Sequence, residues 1–65
     1  MRPWIVWRFS GANQEYLALD FQPFFHFFWT PNRWQSAKFK TKATADKAAY
    51  VWLSYDRNSV FIARY

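Results

Sequence analysis

The chain has 65 residues, with nine Lys+Arg against four Asp+Glu, one His and no Cys. A length in this range allows a single domain, residues 1–65, while the lack of Cys rules out disulfides and, with one His, a zinc site of the usual donor set. Aromatic residues make up 26% of it (five Trp, eight Phe, four Tyr), more rings than a core of this size can hide.

Residues 3–9 are β-branched and aromatic and predict a strand. Ser10-Gly11-Ala12-Asn13-Gln14, which holds the only Gly, predicts a turn. Residues 15–21 alternate, with Leu17, Leu19 and Phe21 on one side and Tyr16, Ala18 and Asp20 on the other, so the two segments form an antiparallel hairpin. After Gln22-Pro23, residues 24–29 predict a third strand with Phe25, Phe27 and Trp29 facing one way and Phe24, His26 and Phe28 the other. Both of its faces are apolar.

Thr30-Pro31-Asn32-Arg33 is a turn, and residues 35–40 predict a short strand with Ala37 and Phe39 inward and Lys38 and Lys40 outward. Thr41 is a helix N-cap. Over residues 42–55 the period changes to 3.6, because Ala45, Ala48, Ala49, Trp52 and Leu53 form one stripe. Asn58 suits the left-handed position that ends such a helix. Residues 60–65 are a last strand, placed in parallel with the middle of the sheet.

The fold class expected is α+β: an antiparallel sheet of four or five strands with one helix on one face, in the order β-β-β-(β)-α-β. One helix covers one face, so the surplus rings fall on the other. Trp4, Val6, Tyr16 and Phe24 or Phe25 are the candidates there, while Trp7, Trp29 and Trp52 are assigned to the core.

The segment Trp29-Thr30, Ala37, Phe39, Thr41 and Ala45 resembles a pattern in small phage and prophage proteins, a "WT" pair followed by "A-x-F-x-T" leading into a helix. The resemblance covers residues 29–53 and implies a compact sheet-plus-helix domain. It also implies a phage-encoded inhibitor or modulator that occludes a host protein, in anti-defence or transcription. It carries over no catalytic residue. Thr44 departs from the pattern, where a Glu would complete a capping box.

Chemistry of the enzymatic kind finds no foothold. His26 lies in an apolar strand and is read as packed, since general acid–base work needs a positioned partner. Glu15, Asp20, Asp46 and Asp56 are scattered, and no phosphate loop, nucleophile elbow or metal-ligand spacing is present. The expectation is a non-enzyme with no cofactor and no metal.

Binding is the remaining class. Residues 33–47 hold five cations (Arg33, Lys38, Lys40, Lys42, Lys47) against one acid, Asp46. Such a patch suits nucleic acid, an anionic membrane or an acidic protein surface, and it equally serves solubility. Trp, Tyr and Arg are the residues that dominate protein contacts. The partner-binding candidates are therefore Trp4, Arg8, Tyr16, Arg33, Trp34, Lys38, Lys40 and Tyr50, with Tyr50 taken as exposed on the helix.

The alternative is single-stranded nucleic acid held on sheet aromatics, with Lys38 and Lys40 about 7 Å apart on one side of a strand. A homodimer is a third way to cover the rings. Arg8 comes too early for a signal segment, and no run approaches the ~20 apolar residues of a membrane span. The expectation is a cytoplasmic protein with no membrane contact.

Overall fold

The computed structural model describes residues 2–65. Four strands, β1 (Trp4–Ser10), β2 (Asn13–Asp20), β3 (His26–Thr30) and β4 (Val60–Arg64), form one sheet in the order β3-β2-β1-β4. All three pairings are antiparallel. A helix α1 (Lys42–Lys47) precedes β4 and packs on one side of the sheet. The fold is a small α+β domain.

The β1–β2 hairpin is tighter than its turn sequence suggests, closing through Gly11 and Ala12 alone. Gly11 has φ +62°, the left-handed value that glycine supplies without steric cost in a two-residue hairpin. The last strand is antiparallel to β1 and lies at the sheet edge, with Trp4 opposite Arg64 and Arg8 opposite Val60. The parallel placement is corrected by the turn at Asp56, which reverses the chain as it leaves the helix. The Ser59 and Val60 N–H groups donate to the Asp56 carbonyl at 3.0 and 3.2 Å.

β1 and β2 are paired from Ser10 and Asn13 to Trp7 and Tyr16, and then part. Residues 36–39 fill the cleft. Ser36 bridges Ala18, the Ala37 N–H donates to the Leu17 carbonyl at 2.9 Å, and Trp4 and Phe39 exchange two bonds of 2.7 and 2.8 Å. The predicted strand over 35–40 is therefore a pair of isolated bridges, preceded by a 3-10 turn at Arg33–Gln35. Its alternation is as expected: Ala37 and Phe39 are partly buried, Lys38 and Lys40 exposed.

Thr41 caps the helix, its hydroxyl accepting from the Thr44 N–H at 3.2 Å. Beyond Lys47 the helix widens into a π turn, Ala48–Trp52, where the Leu53 N–H reaches the Ala48 carbonyl five residues back at 3.0 Å. That widening rotates the side chains past Ala49. Leu53 stays against the core, while Trp52 turns outward and is 55% exposed. Trp52 is thus not a core residue, and the helix stops short of residue 55. The left-handed residue is Ser54 (φ +57°) rather than Asn58, whose N–H instead donates to Asp56 Oδ1 at 3.1 Å.

The core lies between the sheet and the helix. Val6, Leu17 and Val60 meet Ala45 and Ala49, and Trp4, Phe27, Trp29, Phe39, Leu53 and Ile62 close around them. Ala45, Ala48 and Ala49 are fully buried, so the absence of bulk on that stripe lets the helix sit close to the strands. Trp4 and Val6 belong to this side, not to the uncovered one.

Candidate functional site

The register places Ile5, Trp7 and Phe9 of β1, Tyr16 and Ala18 of β2, Phe28 and Thr30 of β3, and Phe61 and Ala63 of β4 on the side away from the helix. Part of this side is covered after all. Ile5, Ala18, Thr30 and Ser36 are all buried, where the segment from Thr30 through the 3-10 turn enters the cleft and Ser36 bridges Ala18. The rest is a row of rings. Phe61 lies opposite Trp7 and Trp7 opposite Tyr16, with Phe9 beyond them and Phe28 on the edge strand.

The rings of this row pack on each other. Trp7 and Phe61 have centroids 4.6 Å apart at 31°, and Phe9 stands edge-on to Trp7 at 5.1 Å. Phe9 remains 59% exposed, and Phe28 and Phe61 are also exposed. Trp7 is therefore not in the core; the alternation of β1 sends it to the opposite side from Val6.

Four rings elsewhere are covered by the protein's own cations. Arg8 lies 4.1 Å from the Trp29 ring centroid, Arg57 4.4 Å from Tyr50, Arg64 4.5 Å from Trp4, and Arg33 and Lys38 each 4.4 Å from Tyr65. A guanidinium over a ring face is attracted by the ring quadrupole and shields apolar area with its alkyl stem. Among the described residues no such cation stands over Trp7, Phe9, Tyr16, Phe28 or Phe61. These five uncapped rings lie on one side of the sheet.

The sequence-predicted contact residues divide on this surface. Tyr16 lies in the row. Trp34, 69% exposed, projects from the 3-10 turn, and Lys40 is exposed at the end of the cleft segment. Trp4 and Arg8 are on the helix side, where Trp4 joins the core and Arg8 pairs with Glu15 at 3.0 Å. Arg33 donates to the Tyr65 carbonyl, and Lys38 donates to the carbonyls of Trp34 and Ser36 at 3.1 and 2.8 Å.

Tyr50 is corrected from exposed to partly buried. The wide turn points it inward, and its hydroxyl donates to the Val60 carbonyl at 2.8 Å. Burial raises the Tyr50 phenol above its usual 10.0; Asp46 adds to that and Arg57 opposes it. The basic stretch 33–47 is thus split, with Arg33 and Lys38 folded against the chain and Lys40, Lys42 and Lys47 facing solvent.

Phe9 and Phe61 were missed as contact residues. The signal available was parity: Phe9 shares its side of β1 with Trp7 by simple alternation, and only the assignment of Trp7 to the core hid it. Beside Phe61, a shallow groove of about 330 Å³ runs along the β4 edge, lined by Lys42, Asp46, Tyr50, Arg57, Val60, Phe61 and Ile62. Its one phenol is already engaged with Val60. Among the described residues no three acidic or histidine side chains converge as a metal site would require. No protein-family model, no curated protein and no solved structure matches the chain.

Proposed function

We propose that the chain is a non-enzymatic binding protein that occludes a partner protein through the ring row of its sheet, with Trp7, Phe9, Tyr16, Phe28 and Phe61 as the contact surface. One observation carries the reading. The protein shields Trp4, Trp29, Tyr50 and Tyr65 with its own cations. Among the described residues none stands over the packed cluster of Trp7, Phe9 and Phe61, over Tyr16 opposite Trp7, or over Phe28 on the edge strand. An uncharged aromatic centre within a polar rim is how a protein interface is built, and Trp and Tyr supply its strongest contacts. The exposed lysines then favour an acidic rim on the partner and speed encounter more than they tighten the complex. In the phage reading, that partner is a host protein.

Single-stranded nucleic acid is less well served by the same geometry. Base stacking wants a ring with a free flat face and a cation beside it to meet phosphate. Here the faces of Trp7 and Phe61 are turned on each other, and Arg33 and Lys38 are committed to Tyr65.

Capture of a partner by the wild-type protein and by surface variants tests the proposal. Phe9→Ser with Phe61→Ser abolishes capture of a specific partner, while Trp34→Ala and Trp52→Ser retain it. Loss with Trp34→Ala and retention with the Phe9/Phe61 variant would overturn the assignment of the surface.

A further inference from the structure

A second apolar feature lies apart from the ring row. Residues 21–25 connect β2 to β3, and Phe21, Phe24 and Phe25 are 66%, 70% and 60% exposed. Alternation puts Phe21 on one side with Leu17 and Leu19, but β2 ends at Asp20 and the ring falls beyond the sheet.

The three rings line both sides of the connection. Phe25 stands edge-on between Phe21 at 5.5 Å and Phe27 at 5.7 Å, whereas Phe24 approaches His26 at 6.1 Å on the other side. A flat partner surface desolvates one side of such a wedge and leaves the other wet. A bilayer interface closes around both. Two polar groups of the wedge are already satisfied within it, which lowers the cost of entering a poorly hydrated layer. The Gln22 N–H donates to Asp20 Oδ1 at 3.1 Å, and His26 Nδ1 donates to the Phe24 carbonyl at 2.8 Å.

The charge of the same end decides the lipid. Trp4 pairs with Arg64 and bridges Phe39, so Lys40 and Arg64 fall at the end of the sheet where β2 stops. Arg64 Nη1 donates to the Arg2 carbonyl at 3.0 Å, placing Arg2 beside them. Tyr65, whose N–H donates to the Pro3 carbonyl at 2.8 Å, lies at this same end, but Arg33 and Lys38 are held against it, so Arg2, Lys40 and Arg64 are the cations of the collar. Strands stand about 4.8 Å apart, so these cations span only a few strand widths from the wedge. Asp20 is the acid among them, while Glu15 is paired with Arg8 further along the hairpin.

We propose that residues 21–25 and the cations around them form a docking surface for an anionic lipid bilayer, with Phe21, Phe24 and Phe25 entering the interface. An apolar insertion combined with a basic collar is what a reversible surface anchor needs. The expectation of no membrane contact rested on spans. Among the described residues no helix is long and apolar enough to cross a membrane, and that has no bearing on a surface contact.

Co-sedimentation with phosphatidylcholine vesicles, with and without phosphatidylglycerol, tests the proposal. The wild-type protein sediments with the anionic vesicles at low salt and is released as salt rises. Phe24→Ser with Phe25→Ser weakens that association about tenfold, and Lys40→Glu weakens it severalfold. Circular dichroism confirms that each variant is folded. Trp52→Ser removes another exposed ring, 55% exposed and outside residues 21–25, and binds as wild type. No sedimentation of the wild-type protein with anionic vesicles would overturn the proposal. So would equal binding by the Phe24/Phe25 variant, which would show attraction by charge alone.

Discussion

Tyr50 shows how one hydroxyl ties two elements together. It projects from the π turn and donates to the Val60 carbonyl, the first residue of β4. Tyr50→Phe keeps the ring under Arg57 and removes that bond, so the variant loses about 1 kcal/mol in urea unfolding. Because the folded phenol is raised above 10.0, its contribution is whole below that pH and is lost as pH rises through the folded value. Urea midpoints for wild type therefore fall at alkaline pH by a component that Tyr50→Phe lacks. Arg8 makes a second residue-scale case. Its ion pair with Glu15 is partly exposed and worth little, whereas its guanidinium also covers Trp29. Arg8→Ala costs about 1 kcal/mol, and Glu15→Gln costs less than half as much in the same measurement.

At the scale of elements, the period of the sequence located each strand and the helix start. Leu17 and Leu19 alternate with Tyr16 and Ala18 as a half-buried strand must, and Thr41 caps where the period changes. The end of the helix was not legible. Nothing local in Ala48-Ala49-Tyr50-Val51-Trp52 distinguishes an α turn from a π turn; the choice is made by the distant Val60 carbonyl and by the sheet beneath the alanines.

The consequence is measurable. Trp52→Ser changes stability by less than about 0.5 kcal/mol, while Ala49→Leu, at a fully buried position, costs about 1–3 kcal/mol. An unbroken α-helical stripe would reverse that order. Ser54→Gly relieves a left-handed residue and stabilises by about 1 kcal/mol. The cleft segment was half legible. Its alternation showed in Ala37 and Phe39, but its partners Ala18 and Trp4 are far away in sequence and belong to different strands.

For the whole molecule, the aromatic excess is resolved in three ways: burial against the helix, cover by cations, and exposure, on two surfaces and singly at Trp34 and Trp52. The second way was invisible in the sequence, since Arg64 and Trp4 lie at opposite ends of the chain yet meet across β4 and β1. It also takes two cations out of the stretch that composition alone marked as a patch. Association with an acidic partner accordingly slows as salt rises, while dissociation changes little, which stopped-flow kinetics measures.

The central claim is that the ring row of the sheet is where a partner sits. A photo-crosslinking residue placed at Phe9, and separately at Trp52, tests it most directly. The account predicts one cross-linked partner from position 9 and none from position 52; cross-linking from position 52 alone would contradict it.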